Sequence, residues 1–477
     1  MDDALNEIER DVLDRFAAIV GPANALSPDE AGPAYFSEPR DLFHGQAGLV
    51  LRPGSVEEVA EIVKLANETA TPIVPQGGNT GLVGGQQPRS KREILINLAR
   101  LDDIRELDTV GRTMTVGAGV VLQTVHEKAD GADLFFPLSL GAKGSCQIGG
   151  NLSSNAGGTG ALAYGVARDL CLGIEAVLPN GEIIHGLRRL KKDNRGYDLR
   201  HLLIGAEGTL GIITGAVLKL FPKPKGREVA YAGLKTPEDM LKLLGIAERR
   251  AGANLTAFEF LPRIGIEMSV KHTEGARDPL SEAHEWYVLV EVTSQRSEEE
   301  ASGTLEALLS EGFEAGLVED AVIAQSQAQA DAFWTLREEM SWAQKPEGGS
   351  IKHDVSVPVA TIPEFLNKAD EAVLSAIPDA RIVAFGHLGD GNVHYNISQP
   401  IGADKQAFLA RWDEISHLVH EIVRGLDGSF SAEHGIGAMK AEELASTKAR
   451  AEYEAMVAIK RALDPKNIMN PGKVIQI

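Results

Sequence analysis

Cysteine is almost missing: Cys146 and Cys171 are the only two in 477 residues. Two thiols cannot build a disulfide framework in a chain this size, and they lack the CxxC spacing of a redox or zinc pair, so their default role is small buried packing. Long apolar runs are missing too, and none approaches the length needed to cross a bilayer. Positive charge is scarce, with 47 Lys and Arg against 68 Asp and Glu and a formal net charge of -21. A surface this acidic repels nucleic acid and anionic membrane, which excludes nucleic-acid binding as a function class. A targeting leader is not expected either. Asp2, Asp3, Glu7 and Glu9 alternate with Leu5, Ile8, Leu13 and Phe16 at helical spacing, an acidic amphipathic helix and the opposite of a signal or transit peptide. A reducing compartment follows: the cytoplasm, or an organelle matrix after processing.

What the chain has is glycine in the right places. Its length predicts roughly three units of ordinary domain size. After a helical lead-in over residues 1–47, a strand at 49–51 and a capped helix from Ser55 to Glu68 lead to a short strand at 73–75. Then comes Gln76-Gly77-Gly78-Asn79-Thr80-Gly81-Leu82-Val83-Gly84-Gly85-Gln86, five glycines in eleven residues. Such a stretch is neither helix nor strand; it lets backbone N–H groups converge on one point, a nest suited to phosphate. Its spacing fits neither GxGxxG nor GxxxxGK[ST], so neither a Rossmann site nor a nucleoside-triphosphate loop is indicated. A second long loop of glycines with small hydroxyl and amide side chains runs from Pro137 to Gly160, and two phosphate-cradling loops imply a ligand with two phosphates. Strands at 114–116, 174–178 and 183–184 make the surrounding texture α+β.

A third motif, Gly205-Ala206-Glu207-Gly208-Thr209-Leu210-Gly211-Ile212-Ile213, closes this half, and residues 221–225 form the linker out of it. The three motifs in this order, over residues 48–222, resemble the PCMH-type FAD-binding domain of the vanillyl-alcohol oxidase superfamily. The resemblance implies a two-subdomain, α+β FAD-binding domain at 48–225. It further implies an α+β substrate cap at 226–426, with helices on one face of a mainly antiparallel sheet, and a C-terminal return to the flavin domain at 427–477. FAD, bound without a covalent link, would lie along Pro75, Gln76, Gly77, Gly78, Asn79, Thr80, Gly81 and Gln86. In the second loop it would meet Pro137, Gly141, Gly144, Ser145, Gly149, Gly150, Asn151, Ser154, Asn155, Gly158, Tyr164 and Gly165. Glu207, Gly208, Ile212, Ile213 and Asn470 would complete the set.

The cap carries the candidate chemistry. Residues 383–397 have the pattern of a β-hairpin around a two-residue Asp390-Gly391 turn, which would set His387 directly opposite His394 with Asn396 pointing the same way. Directly opposed Cβ atoms lie about 5 Å apart, close enough for two imidazoles to share a metal ion or to stand as an ordinary partly solvated pair. Glu433-His434 adds a carboxylate and a third imidazole in a Gly-rich turn, and two histidines plus one carboxylate leave coordination positions for water or substrate. A neutral imidazole near its ordinary pKa of about 6.5 can accept a hydroxyl proton while hydride leaves the same carbon.

Within the superfamily these residues resemble the D-2-hydroxyacid dehydrogenases. That implies a divalent metal, zinc or manganese, on His387, His394 and Glu433, with His434 as general base. Arg337, Ser341 and Lys352 would contact the substrate acid groups, with Asn396 beside them; Ser341 stands where Thr is expected. Arg337 supplies a bidentate fork for one carboxylate. Lys352 supplies a second charge and favours a dicarboxylate such as D-2-hydroxyglutarate over lactate or glycolate. Electrons would pass to an acceptor other than NAD, such as an electron-transfer flavoprotein or a quinone, and a homodimer is a permitted assembly. Two other classes stay open: a metal-dependent hydrolase, which leaves the glycine loops idle, and a non-catalytic flavin subunit, which leaves the metal cluster and Arg337 idle. Glu259 and Glu291 are expected to be buried strand acids, His417 and His420 packing or solvated residues, and Trp334, Trp342 and Trp412 core.

Overall fold

The computed structural model describes residues 7–477. The expected acidic start of the first helix, Asp2, Asp3 and Leu5, lies outside the described residues; the helix runs Arg10–Val20 and buries Phe16 and Val20. The chain divides into two compact units. One consists of the residues up to Gly158, Gly165–Pro222 and Glu433–Ile477; the other of Thr159–Tyr164 and Lys223–Ala432. Two of the four crossings fall at Pro222/Lys223 and Ala432/Glu433, where the resemblance puts bounds at 225/226 and 426/427; the other two set off the short segment Thr159–Tyr164.

The first unit contains two main sheets. In one, Ile73–Gln76, Ile94–Asn97 and Leu49–Leu51 run parallel and Ala25–Leu26 adds an antiparallel edge. The apolar run of Ile94–Asn97 is buried at every residue, as expected of a strand covered on both faces. Helix Val56–Thr69 lays Val59, Ile62, Val63 and Ala66 into the same core as Phe16, Ile73 and Ile96. Ser55 caps it by accepting the Glu58 N–H, while the Glu58 carboxylate reaches back to the N–H of Gly54 (2.6 Å). The other sheet is antiparallel, in the order Ile104–Asp108, Thr113–Gly117, Ile212–Lys219, Cys171–Val177, Ile183–Gly186. The C-terminal segment returns to Ile73, whose N–H donates to the carbonyl of Ile468 (2.8 Å) and whose carbonyl accepts from Asn470 (2.8 Å). That return is fastened by Lys460, which is buried, ion-paired to Asp464 (2.5 Å), and donates to the carbonyls of Thr209 and Met469.

One local exception to the acidic composition emerges here. Residues 188–200 carry six cations against two carboxylates, and residues 191–199 are all exposed, Tyr197 at 96%.

The second unit is built on a seven-stranded antiparallel sheet: Asp320–Ile323, Gly226–Leu234, Trp286–Ser294, Leu255–Pro262, Arg381–His387, Asn392–Ser398, Ser350–Ser356. Side chains alternate across it. Phe258, Phe260, Val290, Val393 and Tyr395 enter the larger core with helices Pro237–Ala251, Glu298–Glu314, Ile362–Ala376 and Trp412–Gly425. The opposite face is not bare, contrary to the one-faced arrangement expected. Tyr231, Leu289, Val383 and Phe385 form a second core there with helices Arg263–His272, Gln327–Glu338 and Met340–Ala343, whose Trp334 and Met340 are buried. Trp342 is exposed rather than core. The helix expected over 405–424 is two, Lys405–Leu409 and Trp412–Gly425, because Arg411 leaves the helical path and donates to the carbonyl of Ala376 (3.0 Å). Among the described residues no helix is long and apolar enough to cross a membrane.

Candidate active site

The hairpin does not turn on two residues. His387 pairs with Asn392, Gly386 with Val393 and Phe385 with His394, so the loop is Leu388-Gly389-Asp390-Gly391 and His387 is not directly opposite His394. The loop is four residues because Leu388 leaves the ladder to bury itself, its N–H donating to the carbonyl of Phe258 (2.9 Å). A two-residue change in register keeps every side chain on its own face. The imidazoles therefore still meet, diagonally, with ring centroids 5.5 Å apart. By the same alternation Glu259, Phe385, Asn392, Asn396, Asp354 and Lys352 share this face, since Glu259 pairs with His387, Asp354 with His394 and Lys352 with Asn396.

These groups form two charge relays within the second unit. Arg337, 5% exposed, points Nε and Nη2 at Glu259 (2.9 and 2.7 Å), and its guanidinium lies over the Phe385 ring at 4.7 Å. The other oxygen of Glu259 holds His387 Nδ1 at 2.8 Å. Burial alone would raise the Glu259 carboxyl, but the His387 and Arg337 charges beside it hold it below its ordinary value. A carboxylate on Nδ1 fixes the imidazole so that a metal bond would be made through Nε2, the orienting arrangement common among metal-bound histidines. In the second relay, buried Asp354 accepts from Asn392 Nδ2 (3.0 Å) and lies 3.8 Å from His394 Nδ1. Lys352 donates to the carbonyl and hydroxyl of Ser341 (2.9 and 3.1 Å), so the predicted pair is in contact. Residues 429–432 run beside Ser350–Ser356: Ser356 and Ser429 bond each other in both directions, and the Ala432 N–H donates to the Asp354 carbonyl (3.2 Å). The next residue along the chain is Glu433.

In the first unit the three glycine motifs lie against one another or against the strand leading into the first. A Cβ on Gly78 would stand 2.0 Å from the carbonyl oxygen of Ser145, and one on Gly208 would stand 2.4 Å from Pro75. The loop after Gln76 is shaped by side chains: Asn79 donates to the carbonyls of Ala34 and Ser37 and accepts from Gln86 and Gln87. The backbone N–H groups of Gly77 through Gly81 find no acceptor among the described residues. Beside Gly141 and Gly150 there is open space, with nothing within 4 Å of an added Cβ. Gln147 Oε1 and Asn470 Oδ1 are buried without a partner. Asn79, Asn155, Glu207 and Asn470 all take positive φ, a costly conformation for a residue with a side chain. Unpaired backbone N–H groups, open glycine faces and orphaned amide oxygens fit a polar, phosphate-bearing cofactor.

Models of two families match: an FAD binding domain over residues 47–186, and the C-terminal domain of FAD linked oxidases over residues 223–474. The chain belongs to the FAD-linked oxidase family. A mitochondrial D-2-hydroxyglutarate dehydrogenase of Arabidopsis thaliana is 39% identical over 461 residues, covering 96% of this chain and 80% of that protein. A D-2-hydroxyglutarate dehydrogenase of Xanthomonas citri is 38% identical over 463 residues, covering 94% and 96%. Among solved structures, p-cresol methylhydroxylase superposes with a TM-score of 0.76 at 16% identity, over 97% of this chain and 96% of that one. A 4-ethylphenol oxidase from Gulosibacter chungangensis gives 0.72 at 19%, with the same coverage. Those two share the fold.

The remaining candidates of this flavoprotein sort as follows. The second glycine stretch is not all loop: Ile148–Ser153 is a short helix carrying Gly149, Gly150 and Asn151, drawn in because the Gly149 N–H donates to the carbonyl of Ala118 (2.8 Å) and a Cβ there would meet Ala118 at 2.7 Å. Pro137, Gly144, Ser154, Gly158 and Gly165 lie in the same unit; Gly158 and Gly165 need their positive φ. Ile212 and Ile213 begin a buried strand, and Ile212 belongs to the core. Tyr164 falls in the second unit, where burial raises its phenol and Thr293 hydrogen-bonds it. Glu433 and His434 belong to the first unit, 3.8 Å apart, with a Glu433 oxygen 2.8 Å from where a Gly157 Cβ would be. Sequence reasoning passed over Asp354 as a possible cation ligand and Gln147, whose buried Oε1 has no hydrogen-bond partner among the described residues. Asp354 sits in an alternating strand whose register with His394 no local pattern announces.

Proposed function

We propose that this FAD-linked oxidase is a metal-dependent D-2-hydroxyglutarate dehydrogenase, yielding 2-oxoglutarate. The observation that carries the reading is the paired cations of the cap, Arg337 and the Lys352–Ser341 pair, presented beside a histidine-rich sheet face in an otherwise acidic protein. The 38–39% identity to D-2-hydroxyglutarate dehydrogenases supports it. Lactate or glycolate is the second reading. A putative D-lactate dehydrogenase of Schizosaccharomyces pombe is also 34% identical, and those substrates have one carboxylate and no use for Lys352.

When bound, FAD supplies a hydride acceptor at N5, and a divalent metal supplies Lewis acidity toward the substrate hydroxyl. His387, His394 and Glu433 would hold the metal, with Asp354 a further donor; the imidazole and carboxylate set suits zinc or manganese. Glu259 keeps His387 in one tautomer and offsets the charge of Arg337, which takes one carboxylate of the substrate. Lys352 takes the second carboxylate, and Asn396 on the same face lines the pocket. His434 accepts the hydroxyl proton, a role for which it must keep a lone pair and therefore stay off the metal. Electrons leave to an electron-transfer flavoprotein or quinone. The cytoplasm or an organelle matrix suits the two free thiols.

Anaerobic bleaching of the flavin spectrum, with each enantiomer of 2-hydroxyglutarate, lactate and malate, tests the reading. Fast bleaching by D-2-hydroxyglutarate is expected; a protein that bleaches only with a monocarboxylate sinks the dicarboxylate assignment. Treatment with a chelator should abolish bleaching while FAD stays bound, and metal-free protein at full activity would refute the ligand set.

A further inference from the structure

We propose that Glu207 is a positioning residue for His434: its carboxylate clamps the Gly435–Gly437 turn and so fixes the base relative to the flavin turn from which Glu207 springs. The inference rests on His434 being the general base and goes beyond it by naming what holds that base in place.

The clamp is bidentate. One carboxylate oxygen of Glu207 accepts the Ile436 N–H at 2.7 Å and the other accepts the Gly437 N–H at 2.8 Å. Two consecutive amides aimed at one carboxylate define position and orientation together, as a single hydrogen bond does not. From its other side the turn is held by the backbone. The Gly437 carbonyl accepts from Val474 (2.9 Å), and the Ala438 and Met439 N–H groups both donate to the Val83 carbonyl (2.9 and 3.1 Å). No slack is left for side chains. Gly435 and Gly437 have φ of 83° and 53°, and a Cβ would stand 2.7 Å from Glu207 in the first case and 2.2 Å from the Val83 oxygen in the second. His434 is the residue immediately before this locked turn.

The other end of the clamp is equally fixed. Glu207 donates its N–H to the Ser153 carbonyl (2.9 Å) and its carbonyl accepts from Asn470 Nδ2 (2.8 Å), while Gly208 abuts Pro75 of the strand that leads into the first glycine loop. Its backbone is left-handed, φ 50°, where glycine would sit without cost. A side chain kept at such a position calls for a use, and among the described residues the only hydrogen bonds its carboxylate makes are those to the turn. Burial pushes that carboxyl up to about 7, opposed by the two amides and by Lys440 and Lys473 nearby. The clamp therefore ties the flavin-loop backbone to the base turn within one unit. Proton and hydride leave neighbouring atoms of one substrate, so a displaced base costs rate without weakening substrate binding.

Stopped-flow reduction of the FAD-loaded enzyme by D-2-hydroxyglutarate, in Glu207→Gln, His434→Ala and the double variant, tests this. Glutamine has one acceptor oxygen and presents an NH2 to the other amide. Glu207→Gln should retain FAD and the half-saturating substrate concentration yet reduce the flavin about tenfold more slowly or worse. On the His434→Ala background the same change should cost nothing further. Glu207→Asp, which keeps two charged acceptors on a shorter stem, should recover part of the rate, and it carries the test if the glutamine variant does not fold. A wild-type rate in Glu207→Gln, loss of FAD in step with rate, or an undiminished penalty on the His434→Ala background overturns the clamp. A wild-type rate in His434→Ala overturns instead the base assignment on which the clamp depends.

Discussion

Arg337, Glu259 and His387 form a buried hydrogen-bonded chain in which no member can be removed alone. Glu259 is 1% exposed, and with Arg337 truncated its carboxylate keeps, among the described residues, only the imidazole of His387. Breaking a buried pair by removing one partner typically costs about 3–5 kcal/mol. Arg337→Met is therefore expected to lower the denaturation midpoint strongly, and Arg337→Met with Glu259→Gln to recover part of the loss; equal midpoints for the single variant and wild type would argue against the relay. Two carboxyls also predict opposite pH effects. Glu259 is held below its ordinary 4.5, so its contribution is present above that pH and is lost as pH falls through its folded value. Glu207 is raised from 4.5 to about 7, so the folded state binds the extra proton between those values and stability declines as pH rises across that window. Comparing melting temperatures of wild type and Glu207→Gln from pH 4.5 to pH 7 checks the sign: the wild type alone should carry that slope.

At the scale of elements, the hairpin and the glycine loops were legible to different depths. Alternation through Val383 to Ile397 was enough to place His387, His394 and Asn396 on one face, because that depends only on parity. Loop length was not legible, because it depends on Leu388 finding the Phe258 carbonyl and a buried site, a contact 130 residues away in sequence. Within that loop Gly391 has φ 84°, and a Cβ would meet the Val357 oxygen at 2.2 Å. Gly391→Ala should cost about 1–3 kcal/mol of stability from backbone strain alone, measurable as a shifted denaturation midpoint. The glycine loops were legible from composition as stretches that could cradle phosphate, yet their mutual packing was not. A Cβ at Gly78 would press on Ser145 at 2.0 Å, so Gly78→Ala should part the two loops. A purified Gly78→Ala protein is expected to hold FAD well below one per chain, by the ratio of visible to ultraviolet absorbance; stoichiometric flavin would count against the cradle.

Over the whole molecule, the first unit is assembled from three chain segments and the second from two. The last segment of the first unit supplies Asn470, Lys473 and the Lys460–Asp464 lock, all buried, and bonds directly to the strand Ile73–Gln76 that leads into the first glycine loop. A chain ended at Ala432 should therefore lose FAD, read from its spectrum after purification; retained yellow colour would show that the return is dispensable. Charge is also unevenly spread. The net value of -21 conceals the stretch 188–200, exposed through residue 199, whose six cations outnumber its two carboxylates.

By itself the sequence determined the α+β texture, the two glycine-rich stretches, and the parity that puts His387, His394 and Asn396 on one sheet face. These follow from composition, parity and short-range spacing, which are local. Only the tertiary structure decided which groups are neighbours: that Glu259 stands between Arg337 and His387, that Asp354 lies against His394, that helices cover both faces of the cap sheet, and that Glu207 reaches the turn after His434. Those contacts join residues up to 230 apart along the chain, and a hydrogen bond between distant segments leaves no periodic trace in either one.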